Sequence, residues 1–246
     1  MTQFIEPAAV GTITKNVGET ANLGKGLGAD VLEIRFDLLL KNASDFEKYS
    51  AGGFDENLIT QLLSWAEEAK KTGLLTIGTL RTNREGGAYS GSEEDRFALI
   101  EKIIPKVDFM DVECENDQQN ILKCKFAAEK SNTKLILSSH FFNDTPTVEK
   151  MENVLLDSFE KGADIAKIAV MPKTADDVLN LYKAGLKSEK PNALCLIAMG
   201  EIGKQTRIAA PFYGSVLSYG YIDEVAAPGQ LRVDEIKTGF KLLGLI

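Results

Sequence analysis

The chain has 246 residues, 44% of them hydrophobic, with 28 basic and 36 acidic side chains, a net charge of −8 and a pI near 4.9. That length buries a large core, and the acidic balance opposes nucleic acid as a partner, because phosphate binding needs a basic face. The three cysteines, Cys114, Cys124 and Cys195, form no CxxC pair and read as reduced thiols; with a single histidine they argue against a zinc site. No charged segment followed by an apolar one opens the chain, and no apolar run approaches the ~18 residues of a membrane span. A soluble, cytoplasmic protein is expected.

Short apolar runs alternate with stretches of helical period along the whole chain. The spacing predicts strands at Ala9–Thr14, Asp30–Phe36, Leu74–Leu80, Phe109–Val112, Lys134–Ser139, Ile165–Val170, Ala193–Met199 and Ser215–Tyr221. Between them, Glu56–Lys71 (Leu58, Leu62, Trp65, Ala69) and Glu93–Ile104 (Phe97, Ile100, Ile104) place apolar residues at three- and four-residue intervals, as amphipathic helices do. Gly73, Gly162 and Gly185 are expected near helix C-termini. Leu38–Asn57 is irregular, with room for one extra short element. Eight strand–helix repeats make an α/β chain, either a (β/α)8 TIM barrel or an open doubly wound sheet. A single domain over residues 1–246 is the economical reading.

Charges interrupt these strands at regular places. In Val31-Leu-Glu-Ile-Arg-Phe-Asp37, alternation puts Leu32, Ile34 and Phe36 on one face and Glu33, Arg35 and Asp37 on the other. Inward charges are costly unless paired, so these three form either an ion-pair network or a site. Arg81 shares the parity of Thr79 and precedes a loop with Glu85, Gly86 and Gly87. Glu85 is placed to accept a hydrogen bond from a histidine ring, or to be a solvated loop acid. Asp111 and Glu113 read first as interior salt-bridge partners.

His140, the only histidine, ends the apolar run Lys134-Leu-Ile-Leu-Ser-Ser-His. It is the one side chain that titrates near neutral pH unperturbed, although a lone histidine after a strand is often just a satisfied polar residue. Lys167 interrupts Ile-Ala-Lys-Ile-Ala, and a lysine in an apolar strand is a usual source of an uncharged amine nucleophile. A base and an amine at successive strand ends suggest carbonyl chemistry through a Schiff base. Arg207 and Gln230 lie in glycine-bearing loops after late strands, which in barrels commonly bind anionic groups. Several arginines that look inward in an acidic chain suggest a small anionic ligand in a focused pocket.

Together, Glu33-x-Arg35-x-Asp37, Thr79-x-Arg81 with Glu85-Gly-Gly87, Asp111-x-Glu113, Ser139-His140 before Thr145-Pro146, Asp164-Ile-x-Lys167, Met199-Gly200 with Arg207, Gly214-Ser215 and Ala227-Pro-Gly-Gln230 resemble the type I 3-dehydroquinate dehydratases in order and spacing. The resemblance implies a (β/α)8 barrel, usually a homodimer, that dehydrates 3-dehydroquinate to 3-dehydroshikimate without metal or organic cofactor. It implies Lys167 as the Schiff-base lysine, His140 as general base and acid, and Glu85 as the group that orients the ring. It further implies Arg207 on the substrate carboxylate and Glu33, Arg35, Arg81 and Gln230 on the ring hydroxyls. Phe141 stands where the family commonly has Asp or Asn, Ala226 where it has Ser, and Thr206 where it has Ser. The contact from the first strand is left between Thr12 and Thr14. A class I aldolase is the rival enzyme, a ligand-binding barrel without catalysis is the non-enzymatic rival, and quinate catabolism is an alternative setting for the same dehydration.

Overall fold

The computed structural model describes residues 6–42, 56–188 and 193–246; of the irregular stretch Leu38–Asn57, residues 43–55 lie outside them. Eight parallel strands run β1 (Ala8–Ile13), β2 (Val31–Arg35), β3 (Leu75–Thr79), β4 (Phe109–Glu113), β5 (Lys134–Phe141), β6 (Ile165–Val170), β7 (Ala193–Ala198) and β8 (Leu217–Tyr221). Their order is β7-β6-β5-β4-β3-β2-β1-β8, so each strand lies beside its sequence neighbour and the last pairs with the first. The remaining gap is bridged by Leu194 and Ser215, with the Val216 N–H donating to the Leu194 carbonyl at 2.8 Å. The sheet is therefore a nearly closed (β/α)8 barrel. An open doubly wound sheet would reverse its order at a switch point, and the described strands have none.

Helices follow the strands where the 3.6-residue period places them. α1 (Val17–Gly26) and α2 (Phe36–Asn42) precede α3 (Glu56–Lys70), whose buried residues are Leu58, Leu62, Ala66 and Ala69. α4 (Glu93–Ile103) starts at Ser92, whose hydroxyl accepts from the Asp95 N–H. α5 (Gln118–Ser131), α6 (Val148–Glu160) and α7 (Ala175–Lys187) begin at Asp117, Thr147 and Thr174, each side chain satisfying one otherwise unpaired N–H. Two short helices, α8 (Gly200–Gly203) and α9 (Thr206–Ala209), follow β7, and α10 (Val233–Leu242) closes the described chain.

Several boundaries differ from expectation. β2 stops at Arg35, and Phe36 and Asp37 open α2, so Asp37 does not share a strand face with Glu33 and Arg35. β5 continues through Phe141, which puts His140 inside the strand. Gly73 and Gly162 follow helix ends with left-handed φ of 79° and 99°, as expected of C-caps. Gly185 does not; it sits within α7, where a Cβ would meet Leu196 Cδ1 at 2.5 Å and the Tyr213 carbonyl at 2.9 Å. Close helix–sheet packing, rather than capping, requires glycine there.

Inside the barrel, the side chains change character along the strands. Val10, Val31, Ile77, Phe109, Ile136, Ile165 and Leu217 make a dry floor. One step further toward the strand C-termini, the same inward parity delivers Thr12, Glu33, Thr79, Asp111, Ser138 and Lys167, all buried. The change falls at the end of the barrel where strand-terminal loops build sites.

Candidate active site

A cavity of about 150 Å³ opens above this polar level. Glu33, Arg35, Arg81, Glu85, His140, Lys167, Arg207 and Gln230 all line it, whereas Asp37 and Thr14 do not.

The β1–β3 side is fixed by hydrogen bonds. Glu33 accepts from the hydroxyls of Thr12 at 3.1 Å and Thr79 at 2.9 Å. Of the two first-strand candidates, Thr12 lines the cavity, whereas Thr14 does not and donates to Glu224 at 2.9 Å. Arg35 makes a two-pronged pair with Asp37 (Nε–Oδ1 2.9 Å, Nη2–Oδ2 2.8 Å). Asp37 Oδ2 also accepts from the Ala88 N–H at 3.0 Å, so from α2 this acid aims Arg35 and anchors the loop after β3.

A denser network crosses β3 to β6. Arg81 donates to Asp111 Oδ1 at 2.8 Å and to the Ser138 hydroxyl at 2.9 Å, and lies 3.2 Å from Glu113 Oε1. Glu113 is shared with the fully buried Arg96 at 2.5 Å. Asp111 Oδ2 accepts from Lys167 Nζ at 2.8 Å. Burial alone would raise the Asp111 carboxyl, but Arg81 and Lys167 overcome it and hold it well below the usual carboxylate range. Glu113 is lowered in the same way by Arg81 and Arg96 against burial. Asp111 and Glu113 are thus interior salt-bridge partners, as expected. Lys167 is not in the apolar surroundings that its own strand suggests. Asp111 lies on one side of its amine, and the Tyr219 ring lies on another, with Nζ 4.1 Å from the centroid.

His140 Nδ1 and Glu85 Oε2 are 2.8 Å apart, the contact that a histidine-orienting acid requires. Glu85 comes from a 3-10 turn, Asn83–Glu85, closed by Gly86 at φ 75°. Burial pushes the Glu85 carboxyl up to about 8, with Arg81 opposing. Burial also holds the His140 imidazole well below its ordinary value, and the cations Arg81 and Lys167 push it the same way. Both shifts disfavour charge on the pair.

The β7–β8 side is built differently. Arg207, in α9, is buried, its Nε has no hydrogen-bond partner, and no carboxylate pairs with it among the described residues. Burial drops its guanidinium to about 10. Its backbone is held by the Ser218 hydroxyl, which donates to the Arg207 carbonyl, and by Thr206, whose hydroxyl donates to the Gly203 carbonyl at 2.8 Å. Gln230 Oε1 accepts from the Ala226 and Ala227 N–H groups at 2.8 and 3.0 Å, which rigidifies the loop over the pocket. The Phe141 departure does not touch the site: its ring packs beside Lys150, 5.4 Å from Nζ, on the face opposite His140.

Sequence reasoning missed Ser138, Tyr219 and Phe142. Ser138 shares inward parity with His140, two residues on, and Tyr219 shares it with Leu217, so alternation could have found both. Phe142 lies just past β5 and carried no periodic signal. Among the described residues, no group of three His, Cys, Asp or Glu side chains could hold a metal ion, and no helix is long and apolar enough to cross a membrane.

Comparison with known proteins places these residues in a family. The 3-dehydroquinate dehydratases of Methanosarcina barkeri and Methanococcoides burtonii are 40% and 39% identical over 242 and 237 residues, each alignment covering 96% of this chain and 94% of the relative. The crystal structure of the type I 3-dehydroquinate dehydratase from Clostridium difficile, with covalent modified comenic acid, superposes with a TM-score of 0.84 at 27% identity, covering 97% of this chain and 92% of that one. The family model for type I 3-dehydroquinase matches residues 9–246, and the chain belongs to that family.

Proposed function

We propose that this chain is a single-domain barrel hydro-lyase that dehydrates 3-dehydroquinate to 3-dehydroshikimate in the shikimate pathway, through a Schiff base on Lys167 with His140 as general base and acid. The observation that carries this reading is the convergence of an amine, an imidazole and an unpaired guanidinium on one pocket. Lys167, an ammonium paired with Asp111, gives up one proton and attacks the substrate ketone through Nζ; that proton and a second from the nitrogen go to the carbonyl oxygen, which leaves as water, and the nitrogen keeps its last proton as an iminium cation. The iminium acidifies the neighbouring C–H, so a neutral imidazole suffices to remove that proton, and the freed electron pair forms an enamine. The enamine expels the β-hydroxyl, which leaves as water with the proton from His140; hydrolysis of the remaining iminium releases the product and restores the amine. Each proton-transfer role is typically worth ~10²–10⁴-fold in rate.

The register supports this division of labour. Ser138 pairs with Lys167, so His140 stands one inward-facing step above the lysine on the adjacent strand. Strand spacing then puts the two Cα atoms about 8 Å apart with both side chains on one face, which leaves room for a ring carbon between them. His140 uses Nδ1 toward Glu85, which leaves Nε2 for the substrate. Its lowered imidazole favours the neutral base near pH 7. Asp111 and Tyr219 hold Nζ in place, and Arg207, with no acid of its own, takes the substrate carboxylate. Arg35, Arg81, Glu33 and Gln230 face the hydroxyls. A homodimer in the cytoplasm accompanies this reading, and a monomeric mass in sedimentation would remove the dimer from it.

The test is turnover of 3-dehydroquinate by three proteins. Wild type is expected to form 3-dehydroshikimate, Lys167→Ala to form neither adduct nor product, and His140→Ala to form adduct with turnover lost. Near-wild-type turnover by either variant refutes the role given to that residue.

A further inference from the structure

We propose that the ring of Phe142 is a positioning residue for the His140–Glu85 pair: it clamps the turn that carries Glu85 onto the end of β5 and keeps water from the carboxyl–imidazole hydrogen bond. The inference rests on His140 being the base of the reaction above.

Phe142 lies between His140 and the turn that carries Glu85. Its ring lies near-parallel to the His140 ring, at 16° and 6.2 Å between centroids. On its other side it packs on Gly86, the residue that follows Glu85, so closely that a Cβ there would overlap the ring. Gly86 has φ 75°, so the turn needs glycine for its backbone. Within itself the turn is closed by Glu85 and Gly87 N–H groups donating to the Thr82 carbonyl at 3.1 and 2.8 Å. Two side-chain contacts join it to the end of β5, the Glu85–His140 hydrogen bond and the Phe142–Gly86 packing. At 37% exposure the ring lines the cavity and is partly in solvent, while the His140 and Glu85 side chains are only 10% and 16% exposed.

His140 faces Arg35, Arg81, Asp111 and Lys167 from β2, the end of β3, β4 and β6; Glu85 faces Arg81, Asp111, Glu113 and Glu115. What the ring controls is water. Burial is the largest cause of both shifts, so removing the ring lets the imidazole rise toward its ordinary value and the carboxyl fall toward its own. The catalytic base is neutral imidazole, which is lost as pH falls through its pKa. A raised pKa therefore moves the acid limb of the pH profile to higher pH.

The experiment measures kcat and KM against pH for wild type, Phe142→Ala, Phe142→Leu and His140→Ala, with thermal unfolding and borohydride trapping at Lys167. Phe142→Ala is expected to lower kcat about tenfold, within the loss that slight misplacement of a reacting group causes, with KM changed less than about twofold. Its acid limb should move to higher pH while trapping at Lys167 persists, and Phe142→Leu, which refills the space, should recover most of kcat. Phe142→Ala with wild-type kcat and an unmoved acid limb would overturn the proposal, as would a loss that only tracks a lower Tm. Wild-type turnover by His140→Ala is a different outcome: it removes the base on which the inference stands.

Discussion

The two halves of the pocket rest on opposite electrostatic terms. Across β2 to β6 every cation has an acid: Arg35 has Asp37, Arg81 has Asp111 and Glu113, and Lys167 has Asp111. Across β7 and β8, Arg207 has none among the described residues, and its Nε has no hydrogen-bond partner. Paired charges fix geometry, since each side chain has one place that satisfies it. An unpaired buried guanidinium gives up its hydration without a partner and is compensated only when an anion arrives. On the proposed function, one half of the site is preassembled for chemistry and the other is completed by the substrate.

The largest break in this contrast is expected from Asp111→Asn. It removes the acid shared by Arg81 and Lys167, and leaving buried charges unpaired costs about 3–5 kcal/mol. Thermal unfolding should show a large fall in Tm, accompanied by loss of turnover. An unchanged Tm would show that Glu113 and Ser138 satisfy Arg81 by themselves.

Arg207→Ala tests the other half and should do the reverse. Affinity for the anionic substrate should fall about 10- to 100-fold, the ~1.5–3 kcal/mol of a charged hydrogen bond. Stability should hold or rise, because a buried cation without a partner is gone. Isothermal titration and melting on the same sample give both numbers, and an unchanged affinity would remove Arg207 from the carboxylate site.

Glu85→Gln sharpens the comparison through pH. A carboxyl raised from its ordinary value to about 8 contributes stability fully present below that ordinary value, near 4.5, and lost as pH rises through 8. Glutamine does not titrate, so the Tm of the variant should gain on wild type between pH 5 and 9 while turnover falls. A Tm difference that stays flat with pH contradicts the raised carboxyl. The smallest effect is expected from Tyr219→Phe. The ring under Lys167 is kept and a buried hydroxyl without a partner is removed, so Tm should stay level or rise slightly. A clear drop in Tm would mean that the hydroxyl has a partner in solution.

Much of this site was legible from alternation. Glu33, Arg35, His140 and Lys167 lie at strand positions, and Arg81 two residues past β3, where a two-residue period decides which side chains face inward, and a closed barrel sends them to one place. What one strand cannot reveal is its neighbours. Lys167 reads as an amine among Ile and Ala, yet its surroundings come from Asp111, 56 residues earlier, and from Tyr219 on β8. Asp37 was placed on the wrong element because β2 hands over to α2 at Phe36, and an apolar residue there fits either period. Arg207 was found as a loop residue, but its lack of an acid depends on what α9 packs against, which no local pattern encodes.

The central claim is that Lys167 is the nucleophile of this pocket. Borohydride reduction of the wild-type protein with 3-dehydroquinate, followed by peptide mass spectrometry, tests it most directly. One reduced adduct is expected, on Lys167, and none in Lys167→Ala. An unmodified Lys167 in folded, active protein, or an adduct on another lysine, would contradict it.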